Sequence, residues 1–129
     1  MASGQGPPVL LVEDEVLLID LLTEALDEAG YAVTPCNSSE AGKAALESGG
    51  EFMALVTDIR LGGGLDGWGL GQRAREIRPN IAVVYMTGDS AADWSARGVP
   101  LSTVITKPFA PAQVVVAIAA LLNRTDDNR

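Results

Sequence analysis

The sequence predicts a doubly wound α/β fold, one parallel sheet of five strands with five helices laid on its two faces. Three observations carry that expectation. Short apolar runs alternate strictly with segments whose apolar residues recur at helical spacing. Glycines, prolines and capping residues punctuate the boundaries between them. The 129 residues make one ordinary domain, and at 47% hydrophobic they can bury a real core.

The elements follow in order. Val9–Val12 is a short apolar run of the buried-strand type. Leu17, Leu18, Leu21, Leu22, Ala25 and Ala29 repeat at helical spacing, and Gly30 stands where a helix C-terminus favours glycine. Tyr31–Cys36 reads as the second strand. Asn37-Ser38-Ser39-Glu40 resembles a capping box and opens a helix to about Ser48. Phe52–Thr57 reads as the third strand, with Asp58 at its end. A helix over Asp66–Arg78 is stopped by Pro79, because the residue before proline is driven out of helical geometry. Ile81–Met86 reads as the fourth strand. Asp89-Ser90 caps a brief helix ending near Arg97-Gly98, and Ser102–Thr106 reads as the fifth strand. Pro111 sits early in a last helix to about Asn123, where its fixed φ is tolerated. The expected organisation is a flexible N-terminal tail over residues 1–7, one domain over 8–123 and a polar C-terminal tail over 124–129.

Composition narrows the function. Net charge is −8, with no block of Lys or Arg, so there is no basic face to bind nucleic acid directly. The chain has no histidine, which removes histidine catalysis and histidine metal ligation. A single cysteine, Cys36, permits no internal disulfide and suits a cytoplasmic setting. The longest nearly apolar stretch, Ala110 to Leu122, is too short to span a bilayer. No signal-peptide pattern occurs at the start, so no membrane association is expected.

Parallel α/β sheets bind ligands at the carboxyl ends of their strands. Here the first strand ends in Glu13-Asp14, the third in Asp58, the fourth in Thr87-Gly88 and the fifth in Thr106-Lys107-Pro108. Crowded carboxylates repel and are costly to bury, unless a divalent cation reverses the cost. Oxygen ligands without His or Cys favour Mg²⁺ or Ca²⁺, and an open site with few carboxylates suits Mg²⁺. Neighbouring strands would let Asp14 and Asp58 share that ion, leaving Asp58 a free oxygen as nucleophile and Lys107 as a fixed positive charge. Taken singly, each residue has an ordinary reading: an acidic first helical turn, a strand-end carboxylate, a β-branched strand residue, a lysine before proline. Their conjunction is what points to a site.

Five pieces resemble the response regulator receiver domain of two-component signalling: VLLVEDE (Val9–Glu15), LVTDIRL (Leu55–Leu61), LDGWGL (Leu65–Leu70), VVYMTG (Val83–Gly88) and TKPF (Thr106–Phe109). All five occur in order and at strand ends. The resemblance implies a flavodoxin-like strand order 2-1-3-4-5, an order that receivers themselves exemplify. It implies that Asp58 is the phosphoacceptor, served by Thr87 and Lys107. It implies a Mg²⁺ site formed by Glu13, Asp14, Asp58 and the backbone carbonyl of Arg60. It implies a cis peptide at Lys107-Pro108, which proline makes inexpensive. The donor would be a histidine kinase or a histidine phosphotransfer protein. Such a domain catalyses its own phosphorylation and slow dephosphorylation and is no metabolic enzyme. The helix 4–strand 5–helix 5 face would carry the output, with a homodimer as one use of it. Helix five, with Gln113 its one polar residue from Ala110 to Leu122, points to a partner surface around Val115, Ala119 and Leu122.

Two alternatives stand beside this reading. Gly62-Gly63-Gly64-Leu65-Asp66-Gly67 fits G-x-G-x-x-G after a strand, which would suit a Rossmann-like nucleotide-binding module. A receiver-like interaction module that never takes a phosphate is the other. There are also departures from the receiver pattern. Gly62 stands where a proline is usual, the Gly62–Gly64 loop is one residue longer, and Val104 replaces the usual aromatic of strand five. The short span from Thr87 to Lys107 predicts a brief fourth helix, and Tyr85 or Trp94 is the candidate to replace the missing aromatic.

Overall fold

Residues 6–127 are described by a computed structural model. The strands are β1 (Pro8–Val12), β2 (Ala32–Cys36), β3 (Ala54–Asp58), β4 (Ala82–Thr87) and β5 (Ser102–Thr106). The helices are α1 (Val16–Glu28), α2 (Ser39–Glu47), α3 (Gly67–Ile77), α4 (Trp94–Arg97) and α5 (Pro111–Asp127), with one 3₁₀ turn at Ala91–Asp93 before α4. All strands pair in parallel in the order β2-β1-β3-β4-β5. The implied topology is therefore the observed one.

β3 and β4 are buried at every position, as strands covered on both faces must be. Alternation along the strands divides the core in two. Val9, Leu11, Val56, Val84 and Met86 face α1 and α5, meeting Leu22, Leu26, Val114 and Ile118. Leu10, Val12, Leu55, Val83 and Tyr85 face α2 and α3, meeting Leu46, Trp68, Leu70 and Ala74. Each fully buried Val, Leu, Ile or Met among them stabilises the fold by about 1.5–3 kcal/mol relative to exposure.

Local chemistry sets the ends. α1 closes in a Schellman motif: Gly30 has φ 98°, its N–H donates to the Asp27 carbonyl, and Tyr31 N–H donates to the Leu26 carbonyl. The cap of α2 is Ser38, whose hydroxyl accepts from Ala41 N–H at 3.1 Å, one residue later than the Asn37 start that the capping-box pattern suggests. Asp66 caps α3, accepting from Gly69 N–H at 2.9 Å.

Three expectations need correction. Pairing in β3 starts at Ala54, so Phe52 is buried but outside the ladder. The N-terminal tail expected over 1–7 is already tied to the sheet at its end, where Ala32 N–H donates to the Pro7 carbonyl; residues 1–5 lie outside the described residues. The last helix continues to Asp127, so most of the tail expected over 124–129 is helical, and 128–129 lie outside the described residues.

Candidate functional site

The parallel register brings four strand ends to one edge, and with them the residues that the sequence singles out. Asp58 closes β3 and is 7% exposed. Its Oδ1 accepts from the Ile59 N–H at 2.9 Å, which fixes the carboxylate, while Oδ2 lies 3.2 Å from Lys107 Nζ. Glu13, just past β1, is fully buried. Its Oε2 accepts from Glu15 N–H at 3.0 Å, and Oε1 lies 3.3 Å from Lys107 Nζ. Asp14 is exposed beside them. Carboxylate oxygens of Glu13, Asp14 and Asp58 all lie within 4.8 Å of one another. Lys107 is positioned by its backbone, since its N–H donates to the Thr87 carbonyl at 2.7 Å, and the Lys107–Pro108 peptide is cis, as the resemblance implies.

Electrostatics follow from burial. Desolvation pushes the Glu13 and Asp58 carboxyls above their ordinary values, and Lys107 offsets only part of the rise at each. Partial burial pulls Lys107 down, but the Asp58 and Glu13 charges outweigh it and leave the ammonium above its ordinary value. The lysine is thus charged and holds two carboxylates that are reluctant to ionise.

Thr87 ends β4 almost wholly buried. Its hydroxyl oxygen accepts from Asp89 N–H at 3.2 Å and from Ser90 N–H at 2.8 Å, so it holds the following turn. Arg60 leaves β3 into solvent and pairs with Asp89, Nε to Oδ2 at 2.8 Å. Asp58, Arg60, Thr87, Gly88, Asp89 and Lys107 line one cleft of about 410 Å³. All six predicted site residues therefore meet at this edge, Glu13 and Asp14 beside the cleft.

Other positions were not singled out for the site from the sequence. Gly67 packs on the end of β3: a Cβ there would lie 2.2 Å from the Asp58 carbonyl oxygen. Its N–H donates to the Ile59 carbonyl at 2.8 Å. This glycine of the G-x-G-x-x-G pattern therefore serves strand packing, and Asp66 already occupies the α3 N-terminus that a pyrophosphate would need. Ser39 Oγ donates to the Leu65 carbonyl, fastening the glycine loop to α2. On α5 the outward apolar residue is Val116, 66% exposed, with Ala119 exposed as well; Val115 and Leu122 pack partly against the core. Among the described residues no helix is long and apolar enough to cross a membrane.

A doubly wound sheet that gathers buried carboxylates and one lysine at its carboxyl edge defines a class of small α/β domains with an acidic, cation-ready cleft. Within that class the chain belongs to the response regulator receiver domain family, whose model matches residues 9–119. It is thus a receiver domain of two-component signal transduction. It is 32% identical over 122 residues to the response regulator receiver protein CpdR of Brucella abortus, covering 88% of this chain and 95% of that protein. It is 29% identical over 126 residues to the probable transcriptional regulatory protein TcrX of Mycobacterium tuberculosis, covering 96% of this chain and 53% of that protein. The chain thus spans about half the length of TcrX, as of some other curated relatives it matches. A solved response regulator receiver protein from Sinorhizobium medicae superposes with TM-score 0.90 at 38% identity, covering 94% of this chain and 98% of that one. Family membership decides against the nucleotide-binding alternative.

Proposed function

We propose that Asp58 accepts a phosphoryl group from the phosphohistidine of a histidine kinase or histidine phosphotransfer protein. The observation that carries this reading is Lys107 Nζ standing 3.2 Å from Asp58 and 3.3 Å from Glu13, at a cleft open to solvent. An Asp58 oxygen attacks phosphorus, the bond to the donor breaks, and the donor leaves with that electron pair. Positioning and charge neutralisation supply the rate, with Lys107 meeting the transferred oxygens and Thr87 turning its hydroxyl toward them. The test is intact-mass measurement after incubation with acetyl phosphate and Mg²⁺. One added phosphoryl group, labile to hydroxylamine, is expected. A chain that stays unmodified with small donors and kinases alike would be the silent interaction module instead.

The donor set fits Mg²⁺. Three hard oxygen donors converge, and two of them are buried carboxylates held above their ordinary values by desolvation, a set that gains by sharing a cation. Glu13, Asp14, Asp58 and the Arg60 carbonyl would hold it. When bound, the ion neutralises charge on the phosphoryl oxygens. Melting should therefore rise with millimolar Mg²⁺, by about 2.7 kcal/mol of stability at a hundred times Kd. Asp14→Asn should weaken the response severalfold. A melting curve indifferent to Mg²⁺ in both proteins would remove the metal site.

The unit doing this comprises residues 8–123, lengthened by the end of α5. The proposed partners are proteins, since a net charge of −8 disfavours binding to phosphates, and a cytoplasmic setting suits the donor. The exposed α5 residues, Val116 foremost, extend the helix 4–strand 5–helix 5 face on which a second copy could dock.

The Arg60–Asp89 pair predicts the lifetime of the phosphoryl group. The pair lines the cleft beside Asp58 and narrows the approach of water in line with the Asp–phosphorus bond. Both side chains are exposed, so the pair's contribution to folding is negligible and its effect is steric. Arg60→Ala and Asp89→Ala should each speed loss of phosphate from isolated phospho-protein about three- to tenfold. Slower loss in Asp89→Ala would show that Asp89 instead orients the attacking water.

A further inference from the structure

We propose that phosphorylation of Asp58 releases the Trp94 indole from strand β5, so that Trp94 takes the part of the missing β5 aromatic. The proposal rests on the reading of Asp58 and Thr87 just given. Val104, opposite Tyr85 in the β4–β5 register, carries neither a ring nor a polar atom to couple to Thr87. Tyr85 is no substitute, because it is fully buried, its ring lies 4.7 Å from that of Trp68, and its hydroxyl accepts from Val99 N–H at 3.1 Å.

Trp94 is placed differently. It opens α4, which is a single turn of four residues, and it is 37% exposed. The chain from Thr87 to Trp94 is held at both ends. At one end the Thr87 hydroxyl accepts the Asp89 and Ser90 N–H groups. Asp93 N–H then donates to the Ser90 carbonyl in the 3₁₀ turn that runs into Trp94. At the other end Trp94 Nε1 donates to Ser102 Oγ at 2.9 Å, and Ser102 Oγ donates to the Val99 carbonyl at 2.6 Å. The indole is seated over Gly98, where a Cβ would lie 2.3 Å from its ring.

A Thr87 hydroxyl that turns to the phosphoryl oxygens presents its oxygen differently to Asp89 and Ser90 N–H, and the turn must shift. A long helix could absorb the shift along its own hydrogen-bond ladder. This α4 cannot, because Gly98 N–H to the Trp94 carbonyl is the bond that closes its one turn. The displacement therefore reaches the nearest contact that can break without leaving a buried charge, the half-exposed Trp94–Ser102 hydrogen bond. Ser102 keeps its acceptor at Val99, so its hydroxyl is not orphaned.

The chain has two tryptophans, Trp68 and Trp94, so fluorescence can separate them. Iodide quenching is read with Mg²⁺, before and after acetyl phosphate, and phosphoryl incorporation is followed by intact mass on the same samples. In wild type, quenching is expected to rise on phosphorylation, because a ring 37% exposed becomes more exposed. In Trp94→Phe the rise should vanish at equal incorporation. In Ser102→Ala quenching should be raised before any donor is added. Full incorporation with unchanged quenching overturns the proposal, as does a rise that survives in Trp94→Phe or a Ser102→Ala protein that quenches like unphosphorylated wild type. Absence of incorporation refutes the phosphoacceptor reading itself, and this proposal with it.

Discussion

Asp58→Asn is expected to lose Mg²⁺-dependent phosphoryl uptake by on the order of a thousandfold or more, the scale on which removing a nucleophile acts. An amide has the shape of the carboxylate but no nucleophilic oxygen. The substitution leaves the fold its local contacts: the side-chain oxygen can still accept from Ile59 N–H, and Lys107 keeps Glu13 at 3.3 Å. Stability should not fall. Burial raises the Asp58 carboxyl above its ordinary value despite Lys107, so the folded state holds that proton more tightly than the unfolded chain. By linkage, the ionised carboxylate costs nothing below its unfolded value, and the cost grows as pH rises toward the folded value and stays beyond it. The variant should thus match wild type in acid and melt at or above it at neutral pH without metal. The lowered carboxyls, Glu47 and Asp89, contribute stability that is lost in acid, but wild type and variant share it, so it does not separate them. Intact mass and thermal melts on one preparation check both halves. Undiminished labelling of a folded Asp58→Asn protein would move the phosphoacceptor elsewhere.

Most of the layout could be read from the sequence because it depends on local pattern. β4 reads as strand because AVVYMT is apolar, β-branched and bounded by turn residues, and it is buried throughout. The site could be read because parallel strands must end together, so the ends of β1, β3, β4 and β5 had to share an edge. The errors are also physical. From Ala110 to Leu122 only Gln113 is polar, so nothing fixes the rotational phase of α5: of Val115, Ala119 and Leu122 only Ala119 is exposed, and it is the neighbouring Val116 that points outward. Phe52 looks like strand because it is buried, but burial is not pairing. What stayed hidden is tertiary. Arg75 donates to the carbonyls of Ile81, Pro100 and Leu101, Arg97 bridges to Asp66 across the cleft loops, and Trp94 reaches Ser102. None of these contacts has a periodic or spacing signature.

Gly67→Ala should cost both stability and phosphorylation. At Gly69, in the same helix, a new methyl would meet movable atoms, the Leu65 side-chain carbons at 3.1–3.5 Å. At Gly67 the obstacles are backbone: the Asp58 carbonyl oxygen at 2.2 Å, the Ile59 Cα at 2.7 Å and the Asp58 carbonyl carbon at 2.9 Å. No rotamer change relieves such a clash, so α3 must lift or the end of β3 must shift. Lifting α3 lengthens the Gly67 N–H to Ile59 carbonyl bond and loosens Trp68 and Leu70, both buried in the α2–α3 half of the core. Overpacking of this kind typically costs about 1–3 kcal/mol, occasionally more, and backbone obstacles place this site at the upper end. Shifting β3 instead moves Asp58 relative to Lys107, and displacements of about 1 Å can cost roughly a hundredfold in rate. The expected result is a melting temperature lower by several degrees, with labelling from acetyl phosphate slowed at least about tenfold at temperatures where the variant is folded. Gly69→Ala, two residues on in the first turn of the same helix, is the control and should do neither. If Gly67→Ala melts and labels like Gly69→Ala, then the contact between the α3 N-terminus and the end of β3 does not hold the phosphoacceptor in place.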